Sequence, residues 1–270
     1  MIFSIEISIF ENPGFPQVQI SLKSVALARL LCHQGQTMTL AEKAYQYIRR
    51  DIVRGGLAPG QPLRMAPMSE RYQMGFSPLR EALTRLQSER LVVSVALRGF
   101  SVAPLSMNEM WDAINTRIHI ETEALRLAIL YGDDAWEAAI VAAHHALKLQ
   151  VDRASLANED EQAMLEQRHN IFHSALIAGC RSKWLLDFSQ KLYAETERYR
   201  YPMLVNRSQD SARDVPGEHA QLMTATLARE AVVACEMLQG HLYRTAQLLQ
   251  QLMSQGTAMA PSEVADAPAL

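Results

Sequence analysis

Four histidines are the chain's clearest candidates for chemistry: His169, His173, His219 and His241. His169 and His173 are four residues apart, so on a helix both side chains leave the same face. His219 and His241 fall on two later segments that also read as helices. Three or four imidazoles brought together in a helical core suit Zn2+, Ni2+ or another borderline divalent ion. A lone His-x-x-x-His pair is a weak signal, because such pairs are more often surface or satisfied core residues. The competing arrangement is a metal-free pocket in which the same imidazoles bind an anion directly.

An anionic ligand needs a counter-charge. Arg117 and Glu121 are four apart and could form an ordinary helical ion pair. Alternatively, an Arg117 turned into a pocket could clamp a carboxylate through two hydrogen bonds. Arg198 and Tyr199, within Glu197-Arg198-Tyr199-Arg200, are the second candidates. His119, His144 and His145 have no such claim, and Trp111, Trp136 and Trp184 read as core anchors. Enzyme chemistry is poorly supported. The chain has no glycine-rich phosphate loop after a strand, no nucleophile elbow and no His-Glu-x-x-His. A metal-dependent hydrolase on the four histidines is the alternative function, with Glu121 or Glu166 as its conceivable base.

The elements that must position these residues fall into two blocks. Residues 38–104 hold ten Lys or Arg against five acids, whereas the rest holds sixteen against twenty-four, which turns a net charge of -3 into +5 and -8. A basic block in an otherwise acidic chain suggests a nucleic-acid contact. Leu40, Ala44, Ile48 and Ile52 predict a helix over 39–55, ended by Gly55-Gly56. A second helix is expected over 66–73. Ser77 as N-cap and Pro78 as first helical residue predict a third over 78–89. Its buried stripe would be Leu79, Ala82, Leu83 and Leu86, leaving Arg80, Glu81, Thr84 and Gln87 outward. Leu91–Val95 and Phe100–Ala103 read as a hairpin turning at Arg98-Gly99. Three short helices and a hairpin make a winged helix-turn-helix. Its third helix can enter a major groove about 12 Å wide, and its wing can meet backbone or minor groove. Arg80 leads the DNA-contacting candidates, with Arg71, Phe76, Ser77, Thr84, Arg98 and Gly99.

Pro104-Leu105 is the expected linker into a second domain, 105–252, opened by the capping box Ser106-Met107-Asn108-Glu109. Helical periods follow at 107–131, 134–152, 160–178, 182–204, 215–230 and 232–252. The fold class is therefore mainly α: a winged helix-turn-helix followed by an all-helical sensor bundle of about six to seven helices. A palindromic operator in double-stranded DNA would require a homodimer. No apolar run of 18 residues predicts a membrane span, and three dispersed cysteines fit a reducing, cytoplasmic setting. Residues 1–37 belong to neither domain and read as an extension with a β-prone start (Ile2, Ile5, Ile7, Ile9). Met38-Thr39-Leu40 stands where such domains begin, making Met38 a candidate initiator. Residues 253–270 are expected to be a flexible tail.

Segment 38–104 resembles the N-terminal domain of the GntR family of bacterial regulators. The likeness is carried by Ile52-Val53-Arg54-Gly55-Gly56-Leu57-Ala58-Pro59-Gly60, Pro78-Leu79-Arg80-Glu81-Ala82-Leu83, Leu86 through Leu91, and Arg98-Gly99-Phe100. The second half resembles the helical ligand-binding domain of the fatty-acid-regulator branch, so the likeness spans about 38 to 252. Tyr72–Leu83 and Arg168–Cys180 are more closely similar to repressors of glutarate and γ-aminobutyrate degradation. The resemblance implies that His173, His219 and His241 are three metal ligands, with His169 standing where the family usually has Asp. That exchange removes a negative charge and favours softer metals. Gly75, Phe76 and Ser77 replace the usual Ser-Arg-Thr. Phe76 cannot make the family arginine's hydrogen bond to DNA, but it can pack on a thymine methyl or a sugar. The implied function is a repressor released from its operator by a small carboxylate, a five-carbon dicarboxylate such as glutarate or 2-hydroxyglutarate being favoured.

Overall fold

A computed structural model describes residues 38–96, 99–153, 158–205 and 213–254. The N-terminal extension, Arg98 and the tail from residue 255 onward lie outside them. Helix α1 (Leu40–Val53) buries Ala44, Ile48, Ile52 and Val53 on one face. Leu40, grouped with that stripe by its spacing, is 60% exposed, because the first residue of the helix precedes its packed turns. Gly55 ends the helix at φ 80°, a left-handed conformation that suits glycine. Helix α2 (Met65–Tyr72) stops at Gln73, which is also left-handed.

Helix α3 (Phe76–Ser88) begins two residues earlier than its sequence signals suggest. Gly75 is its N-cap and Ser77 makes no capping hydrogen bond. The Ser-Pro pair therefore lies inside the first turn, where a proline is still tolerated because the early N–H groups have no intrahelical partner. The stripe itself is as expected: Leu79, Ala82, Leu83 and Leu86 are buried.

The wing is β2 (Val92–Val95) paired antiparallel with β3 (Gly99–Val102). A third strand that sequence reading missed, β1 (Pro62–Leu63), pairs on the far side of β3, giving the order β1-β3-β2. Two residues are too few to show a period. Leu57, Leu63, Met68, Leu91, Val92 and Val102 join the helical stripes in one small core.

Among the described residues the second domain has six α-helices: α4 (Met107–Tyr131), α5 (Asp134–Arg153), α6 (Glu159–Ile177), α7 (Lys183–Val205), α8 (Val215–Leu227) and α9 (Ala231–Ser254). A 3-10 turn, Ala178–Cys180, follows α6. Because α9 runs through Ser254, residues 253 and 254 belong to the bundle and not to a tail. Ser106 caps α4 by accepting from the Glu109 N–H at 3.3 Å. The other half of the expected capping box is replaced: the Ser106 N–H donates to the Tyr199 hydroxyl.

Helix α4 is the centre of the bundle, packed against α6, α7, α9 and the 3-10 turn. Met110, Leu125, Ile140, Phe172, Leu176, Leu222 and Leu238 form the continuous core. Trp136 anchors it as expected, with its indole N–H on the Ala175 carbonyl at 2.9 Å. A Cβ at Gly132 would collide with that indole, so glycine is needed where α4 ends. Trp184, also expected in the core, is instead 72% exposed and stacked on Phe188. In the first turn of α7 it is Leu185 and Leu186 that pack against the core, while Trp184 faces outward.

Candidate functional site

Three helices bring the four histidines together. α6 supplies His169 and His173, α8 supplies His219 and α9 supplies His241. One ligand atom from each lies within 4.8 Å of every other. Imidazoles about 2.1 Å from a shared ion would be separated by up to ~4.2 Å, so a small contraction would close the set. His173, His219 and His241 are buried and His169 is partly exposed.

Hydrogen bonding fixes the ring nitrogens of two histidines. Glu218 can only accept, so His241 must donate its Nδ1–H to it at 2.8 Å, leaving Nε2 with a lone pair. Arg213 and Arg244 also donate to Glu218, at 2.7 and 2.9 Å. At His169, the Tyr193 hydroxyl spends its one proton on Glu166 at 2.6 Å. Its oxygen therefore accepts from His169 Nδ1–H at 3.1 Å, which again leaves Nε2 free to ligate. A carboxylate or hydroxyl behind each imidazole is the usual support of a metal-binding histidine.

The remaining two test whether a metal fits. Both ring nitrogens of His173 and Nε2 of His219 are buried with no hydrogen-bond partner. Orphaned buried polar atoms are costly, and a divalent ion satisfies such donor atoms directly. Burial, reinforced by neighbouring histidines, holds His169 and His173 well below the ordinary imidazole pKa and His219 at about 2. His241 is lowered too, by burial first, against the upward pull of Glu218. All four are therefore neutral near pH 7, the form that binds metal. The residues fit a divalent metal ion.

Beside the cluster lies a buried polar network. Arg117 pairs with Glu121 at 2.6 Å as a helical ion pair, but both side chains are 3% exposed, unlike an ordinary surface pair. Glu121 also accepts from Ser189 at 2.9 Å. Arg200, which sequence reading passed over, pairs with Glu166 at 2.7 Å and reaches Thr196 at 2.9 Å. The Arg117 and Arg200 guanidiniums lie 4.7 and 4.2 Å from the Tyr193 ring centre. The missed signal was the spacing Tyr193, Thr196, Arg200, which puts all three on one face of α7.

Arg198 and Tyr199 turn elsewhere. Arg198 donates to the Ala103 carbonyl at 3.2 Å, and the Tyr199 hydroxyl bonds both backbone groups of Ser106. These two candidates brace the interdomain linker and do not join the histidines. The Arg49–Glu197 ion pair ties α1 to α7 beside them.

In the DNA-binding domain, Phe76, Ser77, Arg80 and Thr84 are all exposed on α3, with Phe76 at 53%. Residues 76, 80 and 84 are spaced by four along one face. The Thr84 hydroxyl donates back to the Arg80 carbonyl at 2.9 Å. Arg71 is committed to Asp51, which it reaches at 2.7 Å and which also accepts from Tyr72. Gly99 has φ 84° at the start of β3, the conformation its wing turn needs.

A winged helix with an exposed recognition helix, joined to a helical bundle with a polar internal site, defines a DNA-binding regulator with a sensor domain. Comparison with known proteins agrees. Residues 40–102 match "Bacterial regulatory proteins, gntR family" and residues 112–244 match the FCD domain. The chain is 38% identical over 213 residues to the HTH-type transcriptional repressor GlaR of Escherichia coli K12, covering 78% of this chain and 96% of that one. It is 38% identical to the HTH-type transcriptional regulator BphR of Paraburkholderia xenovorans LB400, covering 79% and 86%. The fold resembles that of E. coli McbR/YncC, with TM-score 0.65, 18% identity and coverage of 80% and 99%. The chain belongs to the GntR family, as a transcriptional regulator with a helical FCD domain. That is a family of DNA-binding proteins and not of enzymes, which removes the hydrolase alternative. Among the described residues no helix is long and apolar enough to cross a membrane.

Proposed function

We propose that this regulator is a cytoplasmic homodimeric repressor. It binds a palindromic operator through α3 and leaves it when a small carboxylate occupies the FCD domain. The observation that carries the reading is the four-imidazole cluster, with its partnerless nitrogens on His173 and His219, beside two buried arginines. His169, His173, His219 and His241 would hold a divalent ion, Zn2+ or Ni2+. A bound ion would supply a concentrated positive charge to attract a carboxylate oxygen.

The chain's own residues do the rest. Glu218 and Tyr193 fix two imidazoles in the ligating tautomer. Arg117, with Glu121 as its partner, offers a guanidinium to a second carboxylate, and Arg200 offers another in place of Arg198. This geometry favours a dicarboxylate over a mono-acid. The five-carbon class, glutarate or 2-hydroxyglutarate, is favoured by family likeness. At the reading head, Arg80 is the base-contacting candidate, with Phe76, Ser77 and Thr84 on the same exposed helix; Arg71, Gly99 and, from its place in the sequence alone, Arg98 are the further candidates. The ligand changes DNA affinity only by favouring one arrangement of the two reading heads over another.

The test is calorimetric titration of metal-loaded and chelator-stripped protein with C3 to C6 mono- and dicarboxylates, with elemental analysis of the same samples. Binding that disappears on stripping and returns with Zn2+ is expected. Equal affinity in both forms would remove the metal from ligand recognition. Failure of the tightest ligand to release operator DNA would remove the sensor role.

A further inference from the structure

Because α3 starts at Phe76, that residue lies in the first helical turn and not in the loop before it. Four residues ahead of Arg80, it shares the outward face that continues through Thr84. The other large apolar side chains of the helix, Leu79, Leu83 and Leu86, are fully buried, whereas Phe76 is 53% exposed. The domain's small core takes in Met74, just before the helix, and Phe100 from the wing, but not Phe76. A single exposed apolar side chain is ordinary on a protein surface. This one is set apart by its place, at the leading end of the helix that a winged fold presents to DNA.

That end of α3 can come close to DNA. Gly75 caps it with no side-chain hydrogen bond, and its first turn holds no acid, so no carboxylate there repels phosphate. Inside a major groove the base edges present hydrogen-bond donors and acceptors, and one apolar group, the thymine 5-methyl. A phenyl ring against that methyl removes apolar surface from water on both partners. Against any other base edge it would strip water from donors and acceptors without replacing their hydrogen bonds.

We propose that Phe76 is a specificity-determining residue, which selects thymine in the operator by packing on its 5-methyl group. This rests on the reading of α3 as the helix that enters the groove. Phe76 supplies discrimination by apolar contact, beside the hydrogen-bonding contact assigned to Arg80 on the same face.

The probe is a duplex selected from a random pool by the full-length protein. Each thymine is replaced in turn by deoxyuridine, which removes the 5-methyl and leaves base pairing intact. At the thymine that meets Phe76, fluorescence anisotropy should show a roughly fourfold weakening, the value of burying one methyl-sized group. Phe76→Ala should weaken binding to the thymine duplex by at least that factor and bind the thymine and deoxyuridine duplexes alike. Phe76→Leu, still apolar, should keep the preference, and circular dichroism of both variants should match wild type. A selected duplex in which no thymine is methyl-sensitive would overturn the assignment, with no variant needed. So would a Phe76→Ala protein that keeps the full thymine preference. An equal loss on both duplexes in a Phe76→Ala protein that still prefers thymine would overturn it too, by giving the ring a sugar or phosphate contact instead. If the wild-type protein enriches no sequence at all, the reading of α3 falls first and the role of Phe76 with it.

Discussion

His173→Leu should change the stability of this protein in opposite directions depending on metal. In chelated protein, His173 presents two buried ring nitrogens with no partner. Leaving a buried polar group unsatisfied costs about 1–3 kcal/mol. Leucine is of similar size and removes that cost, while a volume-conserving swap introduces less than about 1.5 kcal/mol of packing mismatch. Chelated His173→Leu should therefore be as stable as chelated wild type, or up to about 2 kcal/mol more stable. Metal reverses the order. At a free-ion concentration about a thousandfold above its dissociation constant, a native-state ligand stabilises by about 4 kcal/mol. At about 2–4 °C per kcal/mol, wild type should gain roughly 8–16 °C in Tm on loading. The variant, lacking a central ligand, should gain only a small part of this. Scanning calorimetry in EDTA and in buffered Zn2+, near neutral pH, reads both differences. A His173→Leu protein that melts well below wild type in EDTA would refute the reasoning, since the imidazole would then be an ordinary satisfied core residue. So would an equal metal-induced rise in both proteins.

Arg80→Ala should remove specific retention on duplexes selected from a random pool, a loss of about 1–3 kcal/mol for a bidentate base contact. Circular dichroism and oligomeric state should not change, because the side chain is exposed; unchanged specific binding would sink the assignment. Arg117→Met leaves Glu121 buried without its ion-pair partner and should cost about 3–5 kcal/mol in denaturant unfolding. Adding Glu121→Leu should recover most of this, and no recovery would mean that packing, not charge, set the loss. Burial works to raise the Glu218 carboxyl, but hydrogen bonds from His241, Arg213 and Arg244 outweigh it and hold its pKa far below the usual carboxylate range. Its stabilisation is thus complete above the unfolded pKa of about 4.3 and shrinks as pH falls below it. Glu218→Gln should flatten that acid limb in denaturation measured from neutral to acidic pH. It should also weaken metal binding about 10–100-fold through the loss of His241 orientation.

Much of the architecture was legible because it rests on local periodicity. The four-residue stripe of α3, the Ser106 cap, the wing glycine and six helical stretches in the second domain all follow from residue spacing within a turn or two. Helix ends were less so. The Ser77-Pro78 signal is a good start site, yet Gly75 takes the cap, because the turn after α2 sets where α3 can begin. β1 escaped notice, since two residues carry no period and their pairing with β3 is a tertiary event.

The histidine set was also readable, but only its membership. That His169 and His173 share a face follows from their spacing. That α8 and α9 deliver His219 and His241 to that face is a result of packing. Which arginine attends the cluster was decided the same way. Arg198 and Arg200 are two residues apart and so project from different sides of α7; local sequence does not say which side meets α4 and α6. The packed helix turns Arg200 to Glu166 and Arg198 to the linker. The Arg49–Glu197 pair between α1 and α7 joins residues 148 positions apart. Sequence alone determined the residue types, the helical faces and the two-domain order, since these depend on neighbours along the chain. The partners of each buried charge were decided only by tertiary structure, because a desolvated ion must find its counter-charge wherever the packed helices bring one.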